Sequence, residues 1–116
     1  NYVLIKRVDK YQWLQSLDDG AIAFHIANPC ELFPSYDIGE ITKELLGVLG
    51  VADNDNRSLA AIISVNSNDF GQSTVNLKAP LVFNKHTRKG TQIIVRNTKY
   101  YTRHKISDLE KGVLKV

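Results

Sequence analysis

The sequence predicts a mostly β fold: a small antiparallel β-barrel-like or strongly bent sheet with one short helix. Three observations point there. Short runs rich in β-branched and aromatic residues recur along the chain, tight-turn residues separate them, and only one segment carries helical signals. Neither a βαβ rhythm nor a Gly-rich phosphate loop is present.

In chain order, "YVLIKRV" and "YQWLQSL" read as consecutive strands. Asp18, Asp19 and Gly20 supply a turn, Gly20 being free to take positive φ, before "AIAFHIAN" resumes an alternating strand. In "PCELFPSYDIG" two prolines bound a stretch too irregular for a ladder, which reads as a loop carrying exposed aromatics. "TKELLGVLG" is the expected helix, with Thr42 as N-cap, Glu44 in the first turn and Leu45, Leu46 and Leu49 as its apolar face. "VADNDNR" is a turn cluster, "SLAAIISV" a buried strand and "NSNDFGQS" a further loop. "TVNLKAPLVFN" and "TQIIVRN" form a hairpin whose tip is "NKHTRKG", and "KYYTRHKI" reads as a last half-buried strand. "SDLEKGVLKV" is a weak helix or a frayed tail.

The chain has 116 residues, 43% of them apolar and 23% charged, which suits one folded domain rather than disorder. The domain is expected over residues 1–106, with 107–116 as a C-terminal tail or weak helix. No apolar run approaches the roughly 20 residues a membrane helix needs, and no secretory signal is visible. With one cysteine, Cys30, and no CxxC pair, a cytoplasmic location is expected. Methionine is absent and the chain opens on a strand already in progress, so an N-terminal piece is expected to be missing. Net charge is +3, unevenly placed. Residues 1–66 carry five Lys/Arg against nine Asp/Glu, whereas residues 67–116 carry ten against three. A basic face of this kind suits an acidic partner or RNA.

Catalytic chemistry finds little support. Cys30 lies between Pro29 and Glu31 with nothing local to lower its pKa. His25, His86 and His104 lack metal-ligand spacing, and Asp18 and Asp19 are adjacent in a turn rather than paired across a substrate. No catalytic residue, metal or cofactor is expected. Lys85, Arg88 and Lys89 at the hairpin tip, with Arg96, Lys99, Arg103 and Lys105, offer a phosphate-contacting stripe, and Tyr100 and Tyr101 offer stacking surfaces. Charged hairpin tips also serve simply to stay solvated. Direct RNA binding is therefore the alternative reading.

Four segments, "WLQSLDDGAIAFHIANP", "LFPSYDI", "TVNLKAPLVFN" with "TRKGTQIIV", and "YYTRH", resemble in order and spacing the flagellar assembly factor FliW family, over about residues 2 to 106. The resemblance implies a β-barrel-like protein without catalysis that binds flagellin and the translational regulator CsrA, and so relieves CsrA repression of flagellin mRNA. It implies no membrane contact and no direct contact with RNA. Two departures stand out: an N-terminal segment usual in the family is absent, and the second half is more basic than several relatives. Family-motif residues Asn76, Leu77, Pro80 and Asn84 are expected to be structural, through a bulge at Ala79-Pro80 and a side-chain amide that completes a turn. Trp13 and Phe24 are expected in the core. Partner contacts are expected at Phe33, Tyr36 and Asp37 in the irregular loop and at Asp18 and Asp19, with at least one of the Phe33 and Tyr36 rings exposed.

Overall fold

Antiparallel pairing of β-branched and aromatic runs builds the molecule, and what positions the site is the way that pairing forks. The computed structural model describes residues 2–8, 11–38 and 57–114; the expected helix at 42–50 and most of the turn cluster after it lie outside them. Eight strands are described: β1 (Tyr2–Val8), β2 (Tyr11–Ser16), β3 (Ala23–Ala27), β4 (Arg57–Ser64), β5 (Thr74–Val75), β6 (Leu81–Asn84), β7 (Gly90–Gln92) and β8 (His104–Lys105). Among the described residues two short helices, α1 (Pro29–Leu32) and α2 (Ile106–Glu110), and a 3₁₀ turn at Phe70–Gln72 accompany them. The sheet runs β1-β2-β3-β4-β5-β8, with β6 and β7 branching from β4, and among the described residues it does not close into a barrel. The expected mostly antiparallel, strongly bent sheet is therefore found in its open form.

The branch point explains the family motif physically. One edge of β4 pairs with β3 at Ala61–Ile63. The other edge is shared, Arg57–Ala60 pairing with β6 and Ile63–Ser64 with β5. β5 and β6 are thus two pieces of one antiparallel run, interrupted by a bulge over residues 76–80 opposite the middle of β4. Asn76 N still donates to Ile62 O at 2.9 Å, and the chain then leaves the ladder. The Asn76 Oδ1 accepts from Lys78 N at 3.0 Å and Ala79 N at 2.9 Å, so one amide satisfies two donors that the bulge removes from the sheet. Pro80, which has no N–H to lose, sits buried at the end of the bulge, and its carbonyl accepts from Ile93 N at 3.0 Å.

The core lies on one sheet face. Trp13, His25, Ile63, Val75 and His104 are opposite one another across successive strands. Val75 is fully buried, and Ile63 and His104 are nearly so. Ala27, Ala61 and Val82 join them, closed by Leu32, Leu77, Ile93, Val95, Ile106 and Leu109. On the opposite face of β1 to β3, Tyr2, Leu4 and Phe24 are 48%, 53% and 37% exposed. Phe24 therefore departs from its expected place in the core: it shares a strand face with Ile26, two residues on and 1% exposed, but lies nearer the uncovered end of that face, where its ring is 6.3 Å from that of Tyr2. Trp13 is half-buried against His25, ring centroids 5.3 Å apart.

Two further expectations change, and one open alternative is decided. The stretch after β3 begins as a helix rather than a loop, because Pro29 occupies the first helical position, where a missing N–H costs nothing, and Asn28 caps it by accepting from Cys30 N at 2.9 Å. The segment at 99–106 contributes only His104 and Lys105 as strand, and its Ile106 opens a helix. The residues after it do form a helix, α2, whose end is closed by Gly112 at φ 73°. There Gly112 N donates to Leu109 O and Val113 N to Asp108 O, bonds of a helix stop that favours glycine.

Candidate functional site

The irregular loop after α1 is fastened to the bulge by a pair of tyrosines. The Tyr36 hydroxyl donates to Leu77 O at 2.7 Å, and the Tyr100 hydroxyl accepts from Asp37 N at 3.0 Å. The two rings lie 4.7 Å apart at a 49° tilt. Both side chains are buried, Tyr36 at 7% and Tyr100 at 3% exposure. Burial, with Tyr100 and Cys30 acting in the same direction, pushes the Tyr36 phenol far above its ordinary pKa, so it remains a donor throughout the physiological range.

This geometry corrects the expectation of exposed rings. Tyr36 turns inward because its hydroxyl finds a carbonyl freed by the bulge, and Phe33 packs half-buried against the core. What the loop shows to solvent is Glu31, Pro34, Ser35 and Asp37, together with Cys30. Desolvation raises the Cys30 thiol pKa, partly offset by Arg57, which keeps it away from the thiolate form. Among the described residues, no three His, Cys, Asp or Glu side chains gather as a metal ion would require.

Asp18 and Asp19 sit at the opposite end of β3 from Phe33, Tyr36 and Asp37, so the structure does not bring the two groups together. Their turn is organised locally. Ser16 Oγ accepts from Asp18 N and Asp19 N at 3.2 and 3.1 Å, and the Asp19 carboxylate accepts from Ala21 N at 2.9 Å. Both aspartates are exposed.

Asn84 repeats, at the hairpin tip, what Asn76 does at the bulge. Its Oδ1 accepts from His86 N at 2.9 Å and Thr87 N at 3.1 Å, and its backbone N–H donates to Lys89 O at 2.8 Å. The tip is thus an ordered turn, with Arg88 at φ 63° completing it. Lys85, His86, Arg88 and Lys89 all point into solvent.

At the other end of the hairpin the structure joins Tyr100 and Tyr101, expected only as stacking surfaces, to Lys78, Thr98 and Thr102, for which the sequence carries no site signal. A shallow groove of about 340 Å³ is lined by Lys78, Thr98, Tyr100, Tyr101 and Thr102. Behind it, Tyr101 N donates to His104 Nε2 at 2.8 Å. His104 is 2% exposed, and burial lowers its pKa, against a smaller opposing pull from Asp108. Since a backbone N–H can only donate, Nε2 carries no proton and His104 is neutral here. The tyrosine pair in "KYYTRH" was the available signal, but strand periodicity assigned it to a ladder.

Comparison with known proteins agrees with this architecture. A family model described as FliW protein matches residues 1–106. A flagellar assembly factor FliW of Alkaliphilus metalliredigens is 38% identical over 108 residues, covering 90% of this chain and 65% of its own. A second, from Caldanaerobacter subterraneus, is 40% identical over 96 residues, covering 83% of this chain and 63% of its own. The chain thus spans just under two thirds of the length of these curated relatives. A crystal structure of the flagellar assembly factor FliW superposes with a TM-score of 0.82 at 32% identity, covering 90% of this chain and 73% of that one. The family-model match across residues 1–106, the identity to curated relatives and the superposition on a solved FliW structure place this chain in the FliW family.

Proposed function

We propose that this chain is the core of a non-catalytic flagellar assembly factor that binds flagellin and the translational regulator CsrA in the cytoplasm, and that it relieves CsrA repression of flagellin mRNA by binding CsrA rather than the RNA. The observation that carries this reading is the match across residues 1–106 to a family whose curated members are named flagellar assembly factors. Among the described residues, no helix is long and apolar enough to cross a membrane.

The partner surface is assigned to the solvent edge of the loop after α1, where Asp37 and the half-buried Phe33 flank Pro34 and Ser35, and to the acidic turn at Asp18 and Asp19. Tyr36 serves this surface from beneath, by holding the loop to Leu77 O. Asn76, Leu77, Pro80 and Asn84 act on the scaffold, since their polar groups are engaged in the bulge and the tip.

One observation favours a second reading. The 38 residues from Phe70 to Ser107 hold eight Lys/Arg and no Asp or Glu, a distribution suited to direct RNA binding. A titration of labelled flagellin leader RNA separates the two. On the first reading the chain alone leaves the RNA free at moderate salt and releases it from CsrA. Tight binding without CsrA, falling by orders of magnitude as salt rises, would establish the second.

A further inference from the structure

We propose that the groove at the base of the β6–β7 hairpin docks an acidic peptide segment of a protein partner, with carboxylates set on either side of an apolar residue. The inference rests on the reading of the chain as a protein-binding module and adds a site and a ligand chemistry to it. Its first support is charge. Of the eight cations in the acid-free stretch, Lys85, Arg88 and Lys89 are at the hairpin tip, whereas Lys78 lines the groove and Arg96, Lys99 and Arg103 are exposed on the loop that forms its wall.

The second support is that the groove is built before any ligand arrives. Segments 76–80 and 95–103 are stitched side by side: Leu77 N and Lys78 N donate to Tyr101 O at 3.1 and 3.2 Å, and Val95 N donates to Lys78 O at 2.8 Å. The Lys78 ammonium is held at the wall by Asn97 O at 3.3 Å, and Asn97 Oδ1 in turn accepts from Lys99 N at 2.9 Å. A lysine already oriented in this way loses less side-chain freedom on binding than a free surface lysine. Exposed Thr98 and Thr102 offer hydroxyl donors to a carboxylate, and the tyrosine floor offers apolar contact.

The same geometry favours peptide over RNA. Sequence-tolerant binding of single-stranded RNA uses open aromatic faces for successive bases. Here Tyr100 is 3% exposed and its hydroxyl is engaged by Asp37 N, which leaves Tyr101, 40% exposed, as the open ring of the pair. One ring with flanking cations and hydroxyls matches alternating carboxylates and a single apolar side chain.

The test is fluorescence anisotropy with three labelled probes of equal length: a Glu-rich peptide with one central Leu, its Lys-rich counterpart, and oligouridylate. The Glu-rich peptide is expected to bind and the Lys-rich peptide not to bind. Neutralising Lys78→Gln, Lys99→Ser and Arg103→Ser together is expected to weaken that binding at least about tenfold, equivalent to roughly 1.4 kcal/mol. Lys78→Arg, which keeps the charge, should retain it. Neutralising the tip at Lys85 and Lys89 should leave binding within about twofold, as for charges outside a contact. Unchanged thermal unfolding of the Lys99→Ser, Arg103→Ser double variant guards against loss of fold. Absent Glu-peptide binding, or equal losses from the tip and groove substitutions, overturns the proposal. Oligouridylate binding that the groove substitutions abolish overturns it in favour of nucleic acid. Flagellin and CsrA affinities measured on the same protein keep the two readings apart: if these persist while the peptide fails to bind, only the groove assignment falls.

Discussion

Replacing Tyr36 by Phe removes one oxygen from the loop latch and leaves its ring in place. The hydroxyl donates to Leu77 O at 2.7 Å, with Tyr36 at 7% and Leu77 at 0% exposure, so water cannot readily substitute for the donor. A net hydrogen bond contributes about 1 kcal/mol, and stranding a buried acceptor costs about 1 to 3 kcal/mol, so a loss of roughly 1 to 3 kcal/mol is expected. With a urea m-value of about 1 to 3 kcal/mol/M for a domain of this size, the unfolding midpoint should fall by about 1 M at an unchanged slope. Tyr36→Ala adds the cavity left by the ring and should cost about 3 to 5 kcal/mol. The Tyr36 and Tyr100 rings lie 4.7 Å apart, so Tyr36→Phe combined with Tyr100→Phe should deviate from additivity by at least about 0.5 kcal/mol. Equilibrium urea unfolding followed by tryptophan fluorescence checks all three variants. A Tyr36→Phe midpoint indistinguishable from the parent, together with weaker binding of flagellin or CsrA, would refute the latch and make Tyr36 a contact residue.

Asn76→Ala should lose about 1 to 2 kcal/mol in the same assay, because Ala79 N loses its acceptor and Lys78 N is left with Tyr101 O alone, and Asn76→Asp should recover most of it by keeping the oxygen. Gly90→Ala should cost about 1 to 3 kcal/mol, since a Cβ there would come within 2.4 Å of the Phe83 ring and 3.1 Å of Val82 O; an unchanged unfolding midpoint would show that the ring yields freely. His104, whose folded pKa lies below its ordinary 6.5, binds a proton more readily when unfolded, so its contribution is present above about pH 6.5 and is lost as pH falls below it. The melting temperature of the parent should therefore drop more between about pH 7.5 and about pH 5, across the ordinary histidine range, than that of His104→Gln, whose amide oxygen can still accept from Tyr101 N. Neutralising Lys85 and Lys89 at the tip should change stability by under about 0.5 kcal/mol, measured by urea unfolding, because both are exposed.

The sequence by itself determined the antiparallel β class, the β2–β3 turn at Asp18–Gly20, the strand expected over 58–65 and found at Arg57–Ser64, and the hairpin around Asn84, because alternation and turn chemistry act between neighbours in the chain. The ordered resemblance of four segments also made the FliW family legible, and residues 1–106 match it. Tertiary structure decided which way the aromatics face. Tyr36 and Leu77 are 41 residues apart, and Asp37 and Tyr100 are 63 apart, so no local pattern indicates that a loop ring will find a buried carbonyl. Phe24 and Ile26 stand on the same face of one strand, yet one is 37% exposed and the other 1%, a difference set by what packs over each end of the sheet. The groove has the same origin: Lys78 and Thr102 are distant in the chain and become neighbours only because the bulge at 76–80 carries β5 into β6 past the loop at 95–103.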